Sequence, residues 1–164
     1  MKAAVVMGSV SDLPVLEKTI KTLKSYDVKV EARVLSAHRT PDEAHAFAAG
    51  AENEGIDVII AAAGKAAHLA GVLAAYTTLP VIGLPVKSST LDGLDSLLST
   101  VQMPPGIPVA TVAIDGAENA ALLAVQILSL KYPELKKKLA AHKQDMAAKV
   151  MEANKNLQKE IEIL

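Results

Sequence analysis

The residues able to do chemistry fall in three short stretches: GSVSD (Gly8 to Asp12), SAHRTP (Ser36 to Pro41) and AGKAAHLAG (Ala63 to Gly71). His38 and Arg39 are adjacent in the second. An imidazole changes charge near neutral pH and so suits a proton carrier, while a guanidinium can fork onto a phosphate. GSVSD combines a small turn, the hydroxyls of Ser9 and Ser11 and the backbone N–H groups of a helix start, an arrangement suited to an anion such as phosphate. Asp12 is poorly charged for phosphate but well suited to accept hydrogen bonds from sugar hydroxyls. In the third stretch Gly64 and its small neighbours allow the backbone close to a ligand, with His68 beside them. Each stretch also has a plainer structural reading: Ser11 as a helix N-cap, Asp12 as a first-turn carboxylate, Arg39 in a surface ion pair, His68 as a hydrogen-bonded histidine.

Other chemistries are excluded. There is no cysteine, which removes disulfides, a thiol nucleophile and thiolate metal sites. Asp42, Glu43 and His45 do not have a metal-ligand spacing, so no metal is expected, and His45 and His142 read as packing or surface residues. The chain lacks a G-x-G-x-x-G turn, a G-x-x-x-x-G-K-[ST] loop and a G-x-S-x-G elbow. A phospho-receiver domain needs an acceptor aspartate after its third strand, where this chain has Gly64. The formal net charge is -1, and aromatics are 2% of residues. Neither favours nucleic acid or an anionic membrane surface as a partner. No apolar run approaches the roughly 20 residues of a bilayer span, and the amino terminus is a poor secretory signal, so a soluble, cytoplasmic protein is expected.

Positioning these loops requires alternating strands and helices. Ala3 to Met7, Asp57 to Ala63 and the stretch near Val81 are short apolar runs that read as buried strands. Val28 to Leu35 alternates apolar with charged residues, as a strand nearer a sheet edge does. Val109 to Ile114 reads as a fifth strand. Helices are predicted over Asp12 to Tyr26 with Ser11 as N-cap, from Pro41 to about Glu54 with Thr40 as cap, from Ala67 to Tyr76, around Leu94 to Thr100, and over Ala117 to Leu130. From Pro133 to Leu164 the pattern is helical and charged, with Leu135, Leu139, Met146, Val150 and Leu157 in a stripe that suits docking on a neighbouring subunit. The 164 residues predict one domain, a three-layer α/β/α sandwich on a parallel sheet of about five strands. A closed eight-unit barrel would need roughly 250 residues. In such a sheet ligands bind outside the carboxyl ends of the strands, where all three stretches fall.

Together with LPVIGLPV, LDGLDSLLSTVQMPPGIPVATVAI and NAALLAVQIL, these stretches resemble the N5-carboxyaminoimidazole ribonucleotide mutases of purine biosynthesis (PurE, class I) over nearly the whole chain. The resemblance implies a flavodoxin-like fold, a homo-octamer with sites at subunit boundaries, no cofactor, and ATP-independent transfer of CO2 from the exocyclic nitrogen to C4 of an aminoimidazole ribonucleotide. It also implies that Ser9, Ser11, Ser36 and Arg39 hold the 5′-phosphate and that Asp12 holds the ribose. His38 would be the general acid and base, and Gly64, Lys65, Ala66, Ala67, His68 and Leu69 the loop shielding transient CO2. The class I loop usually reads AGGAAHLPG, so Lys65 and Ala70 depart from it. Lys65 either favours a carboxylate or faces solvent. The class II enzymes, which carboxylate aminoimidazole ribonucleotide directly, typically carry Ser-Asn where this chain has Ala66 and Ala67. That direct carboxylase, and a non-catalytic nucleotide-binding module, are the alternatives.

Overall fold

The computed structural model describes residues 1–89 and 91–163. Thr90, and Leu164 at the end of the predicted tail, lie outside the described residues.

Five parallel strands form one sheet: β1 (Lys2–Met7), β2 (Lys29–Val34), β3 (Val58–Gly64), β4 (Val81–Val86) and β5 (Ala110–Thr111). Their order is β2-β1-β3-β4-β5, the flavodoxin-like arrangement, with the charged β2 at an edge as its alternation predicts. The inner strands are apolar at almost every position because both sheet faces are covered. Period-2 geometry then sorts their side chains. Val5, Ile60, Ile82 and Leu84 point to one core, shared with Leu16 and Leu23 of α1 (Leu13–Ser25) and Ala121 and Val125 of α5 (Ala117–Leu128). Ala4, Val6, Ile59 and Ala61 point to the other, with Ala44 and Ala48 of α2 (Pro41–Gly50) and Leu69 and Leu73 of α3 (Leu69–Ala75). The sandwich therefore has three layers, as predicted. A buried hydroxyl stitches one face together: Thr19 Oγ1 donates to the Ala117 carbonyl at 2.9 Å.

Several boundaries differ from the sequence reading. The fifth strand pairs over only two residues, because Pro85 on the adjoining edge of β4 has no N–H to give. The chain still follows β4 by donating, from Val112 N to Gly83 O and from Asp115 N to Pro85 O. The second helix stops at Gly50, followed by a turn over 51–55, and α3 starts at Leu69, leaving Ala67 and His68 in the loop. Ser11 is not the cap of α1. Ser9 caps a 3-10 turn over Val10–Asp12 by accepting from Ser11 N, and Asp12 sits at the N-cap of α1 without a side-chain capping bond. Thr40 makes no capping bond either, its hydroxyl being turned to the backbone of Ser36.

The short α4 (Leu94–Val101) is followed, beyond α5, by α6 (Glu134–Ile161). Of α6, Leu135 is buried and Leu139 packs on the core, whereas Met146, Val150 and Leu157 are exposed. At 1.5 Å per residue the helix is about 42 Å long, so most of it runs beyond the domain.

The lead-in to α6 is fixed at the amino ends of the strands. Asp57 accepts from Lys2 N at 3.0 Å, Lys131 Nζ at 2.8 Å and Tyr132 Oη at 3.2 Å. Burial pushes its carboxyl up, but the Lys131, Lys2 and Tyr132 hydrogen bonds outweigh this and hold it below the ordinary aspartate value. A depressed pKa adds stability above the unfolded-state value, and that stability is lost as pH falls through the folded-state value. Asp57→Asn is expected to cost about 1 kcal/mol at neutral pH, discounted because Lys131 is exposed. In urea melts the deficit should shrink as pH drops below the ordinary aspartate range. A pH-independent deficit would contradict this account.

Candidate active site

The order β2-β1-β3 creates a switch point: the chain leaves β1 toward one side and β3 toward the other, opening a crevice at their carboxyl ends. A cleft of about 650 Å³ lies there, the size of a small-ligand site. Its walls contain Gly8, Ser9, Ser11 and Asp12 after β1, Ser36, Ala37, His38 and Arg39 after β2, and Ala63, Gly64, Lys65, Ala66 and Leu69 around the end of β3. The predicted residues thus converge, with two exceptions. Ala67 is buried at 1% exposure beneath the loop, and His68 lies outside the cleft wall.

His68 nevertheless belongs to the site. Its Nδ1 is 2.9 Å from Nε2 of His38, and the rings meet edge to face with centroids 5.0 Å apart. The contact is a hydrogen bond when one of the two nitrogens carries a proton and the other a lone pair. The contact holds the His38 ring in one orientation at the cleft. Both side chains are exposed to solvent, so protons can enter and leave.

Arg39, next to His38 in the same loop, lines the cleft as well. Its N and Nε donate to Ser36 Oγ at 3.2 and 3.3 Å, and its Nη2 donates to the carbonyl of Gly8 at 3.0 Å. The second loop is thereby tied to the first, with the rest of the fork available to a ligand. Beside it Ser9 Oγ accepts from both Ser11 N at 3.3 Å and Ser11 Oγ at 2.8 Å, gathering two hydroxyls at the turn into α1. Asp12 borders the same corner. Burial raises its carboxyl above the ordinary aspartate value, a rise partly offset by hydrogen bonds with the Ser9 backbone and the Ser11 side chain.

Sequence reasoning missed one wall. Val86, Lys87, Ser88 and Ser89 complete the cleft from the end of β4. A polar Lys-Ser-Ser directly after a buried strand was the available signal, since the rule that gathers the other three loops applies to this one too. Lys87 N donates to Asp115 Oδ1 at 2.9 Å and its Nζ pairs with Asp92 at 3.1 Å. Among the described residues no group of three or more His, Asp or Glu side chains is arranged to hold a metal ion.

Sheet order, cleft position and the imidazole pair define a flavodoxin-like α/β protein with a polar cleft at its switch point and acid–base groups at the edge. Residues 2–149 match the model of the AIR carboxylase family, and the chain belongs to that family. It is 63% identical over 145 residues to a Pyrococcus abyssi protein named N5-carboxyaminoimidazole ribonucleotide mutase, covering 88% of this chain and 83% of that one. A Thermotoga maritima protein of the same name is 52% identical over 157 residues, covering 96% and 92%. The crystal structure of Treponema denticola PurE superimposes with a TM-score of 0.82 at 30% identity, covering 92% of this chain and 94% of that one.

Proposed function

We propose that the protein is an N5-carboxyaminoimidazole ribonucleotide mutase of purine biosynthesis, an isomerase that moves CO2 from the exocyclic nitrogen to C4 without ATP. The observation that carries this reading is the meeting, in one cleft, of a hydroxyl-and-guanidinium corner with an imidazole. The family and the mutase-named relatives supply the substrate class. Ser9, Ser11, Ser36 and Arg39 bind the 5′-phosphate, and Asp12 accepts from the ribose hydroxyls.

His38 then serves twice. It delivers a proton to the exocyclic nitrogen as the carbamate N–C bond breaks, releasing CO2 and leaving the neutral amine. C4 attacks the CO2, and His38 takes the C4 proton as aromaticity returns. The proton lent in the first step is recovered in the last, so substrate and product are isomers and no co-reactant is consumed. Gly64 to Leu69 keep the CO2 beside C4, where confinement acts as a high effective concentration. Ala66-Ala67 before His68 supports the mutase over the direct carboxylase, for which Ser-Asn is typical.

Purified protein given N5-carboxyaminoimidazole ribonucleotide without ATP should form the C4-carboxylated product. Aminoimidazole ribonucleotide with bicarbonate, run in parallel, should turn over much more slowly. Faster turnover of the second mixture would make the protein a direct carboxylase, and ribonucleotide binding without turnover of either would make it a binding module.

Asp12→Asn separates binding from folding. With a raised folded-state pKa, Asp12 favours the fold when protonated, a contribution lost as pH rises through that value, so its ionised form is a liability at neutral pH. The variant should melt no lower than wild type while its ribonucleotide affinity falls about tenfold, the loss of one charge-assisted hydrogen bond. A lower melting temperature with unchanged affinity would remove Asp12 from the ribose site.

A homo-octamer is the proposed assembly, with the helical tail docked on a neighbouring subunit and the cytoplasm as its place. The exposed Met146, Val150, Leu157 and Ile161 on α6 support tail docking. Light scattering at micromolar concentration should give eight subunits, and a monomer would refute it.

A further inference from the structure

We propose that Lys65 binds the carboxylate of the substrate and so selects the carboxylated ribonucleotide over its decarboxylated form, a step that rests on the ribonucleotide reading above. The first observation is conformational. Lys65 has φ 56°, the left-handed region that favours glycine and costs other residues about 1 kcal/mol or more. A glycine would hold this turn without strain, so the turn itself does not call for a lysine.

The second observation is the distribution of charge. Three cations and one carboxylate, Asp12, line the cleft. Arg39, tied to Ser36 and Gly8, turns the rest of its fork to the phosphate, and Lys87 pairs with Asp92. Lys65 has no ion-pair partner among the described residues. Its carbonyl lies 3.5 Å from Ser99 Oγ, a contact between the loop and α4.

The third observation is position. Arg39 and the serines occupy the corner formed by the β1 and β2 loops, whereas Lys65 follows β3 and borders the wall that continues to Lys87. His38 stands in the same cleft. Its cations are therefore divided between two regions, which fits a ligand with two separate anionic groups. A phosphate ester bearing a carboxylate or carbamate on its base is such a ligand, and its decarboxylated form is not. Because Lys65 is exposed, the pairing is partly screened and should weaken with salt.

The test measures affinity of the full chain for 4-carboxy-5-aminoimidazole ribonucleotide and for aminoimidazole ribonucleotide, in wild type, Lys65→Gly, Lys65→Met and Lys65→Arg. Lys65→Gly relieves the backbone strain, so it should melt at or above the wild-type temperature. Lys65→Gly and Lys65→Met should each bind the carboxylated ligand five- to tenfold more weakly, leave the decarboxylated one within twofold, and lose salt dependence for the first. Lys65→Arg should retain the preference. In turnover, KM for the carbamate substrate should rise in the glycine variant.

If wild type turns over the carbamate substrate but the affinity ratio is the same in all four proteins, the role of Lys65 is wrong and the functional reading stands. If wild type binds neither ribonucleotide, the functional reading fails and this proposal fails with it.

Discussion

His38→Asn is expected to lower turnover of N5-carboxyaminoimidazole ribonucleotide by about a thousandfold, within the range that loss of a general acid–base commonly produces. Ribonucleotide affinity should stay within a few-fold of wild type. The reason is geometric: the phosphate corner is built from Arg39, Ser9, Ser11 and Ser36, none of which bonds to the His38 ring. Asparagine cannot take up and return a proton near neutral pH, and its amide, reaching only as far as the Nδ1 position of the ring, also gives up the Nε2 contact with His68. His38 is also exposed, so its loss creates no cavity, and the thermal melt should match wild type. The decisive comparison is product formation against direct binding on the same preparation. Undiminished turnover would remove His38 from its role, while a parallel loss of binding would make it a ligand contact instead.

Gly83→Ala should destabilise the fold by about 2 kcal/mol or more, as overpacking of a tight core does. A Cβ there would lie 2.3 Å from Thr100 Cγ2 and 3.0 Å from Val109 Cγ1. Thr100 is 3% exposed and its hydroxyl donates to Ser96 O at 2.7 Å, so moving its methyl group away puts a buried hydrogen bond at risk. The lost space would push α4 from β4, and a chain of this size should lose about 4 to 8 °C in melting temperature. A shift under 1 °C would mean that α4 is seated more loosely than described. Thr100→Ala in the Gly83→Ala background should recover part of the loss, since it removes the group that is struck.

Much of this was legible in the residues. The strands declared themselves because burial on both faces demands continuous apolar runs, as in Ala3 to Met7 and Val58 to Ala62. The alternating charges of Val28 to Leu35 placed β2 at an edge. Boundaries were less legible. Ser11 has the side chain of a helix cap, but the 3-10 turn before α1 hands the capping to Ser9, and nothing in the local pattern distinguishes two serines two residues apart. The fifth strand was overestimated because its apolar pattern continues past the point where Pro85, on a different strand, ends the pairing.

The sequence by itself determined which loops carry the chemistry, since element order and strand polarity follow from local hydrophobic period and turn residues. Only the tertiary structure decided that His68 meets His38, that Arg39 spans to the Gly8 carbonyl, and that Lys87 and its serine neighbours complete the wall. Hydrophobic burial acts residue by residue along an element and therefore leaves a readable period. A hydrogen bond between loops distant in sequence depends on how two independently anchored backbones approach within 3 Å, and no local pattern encodes that distance.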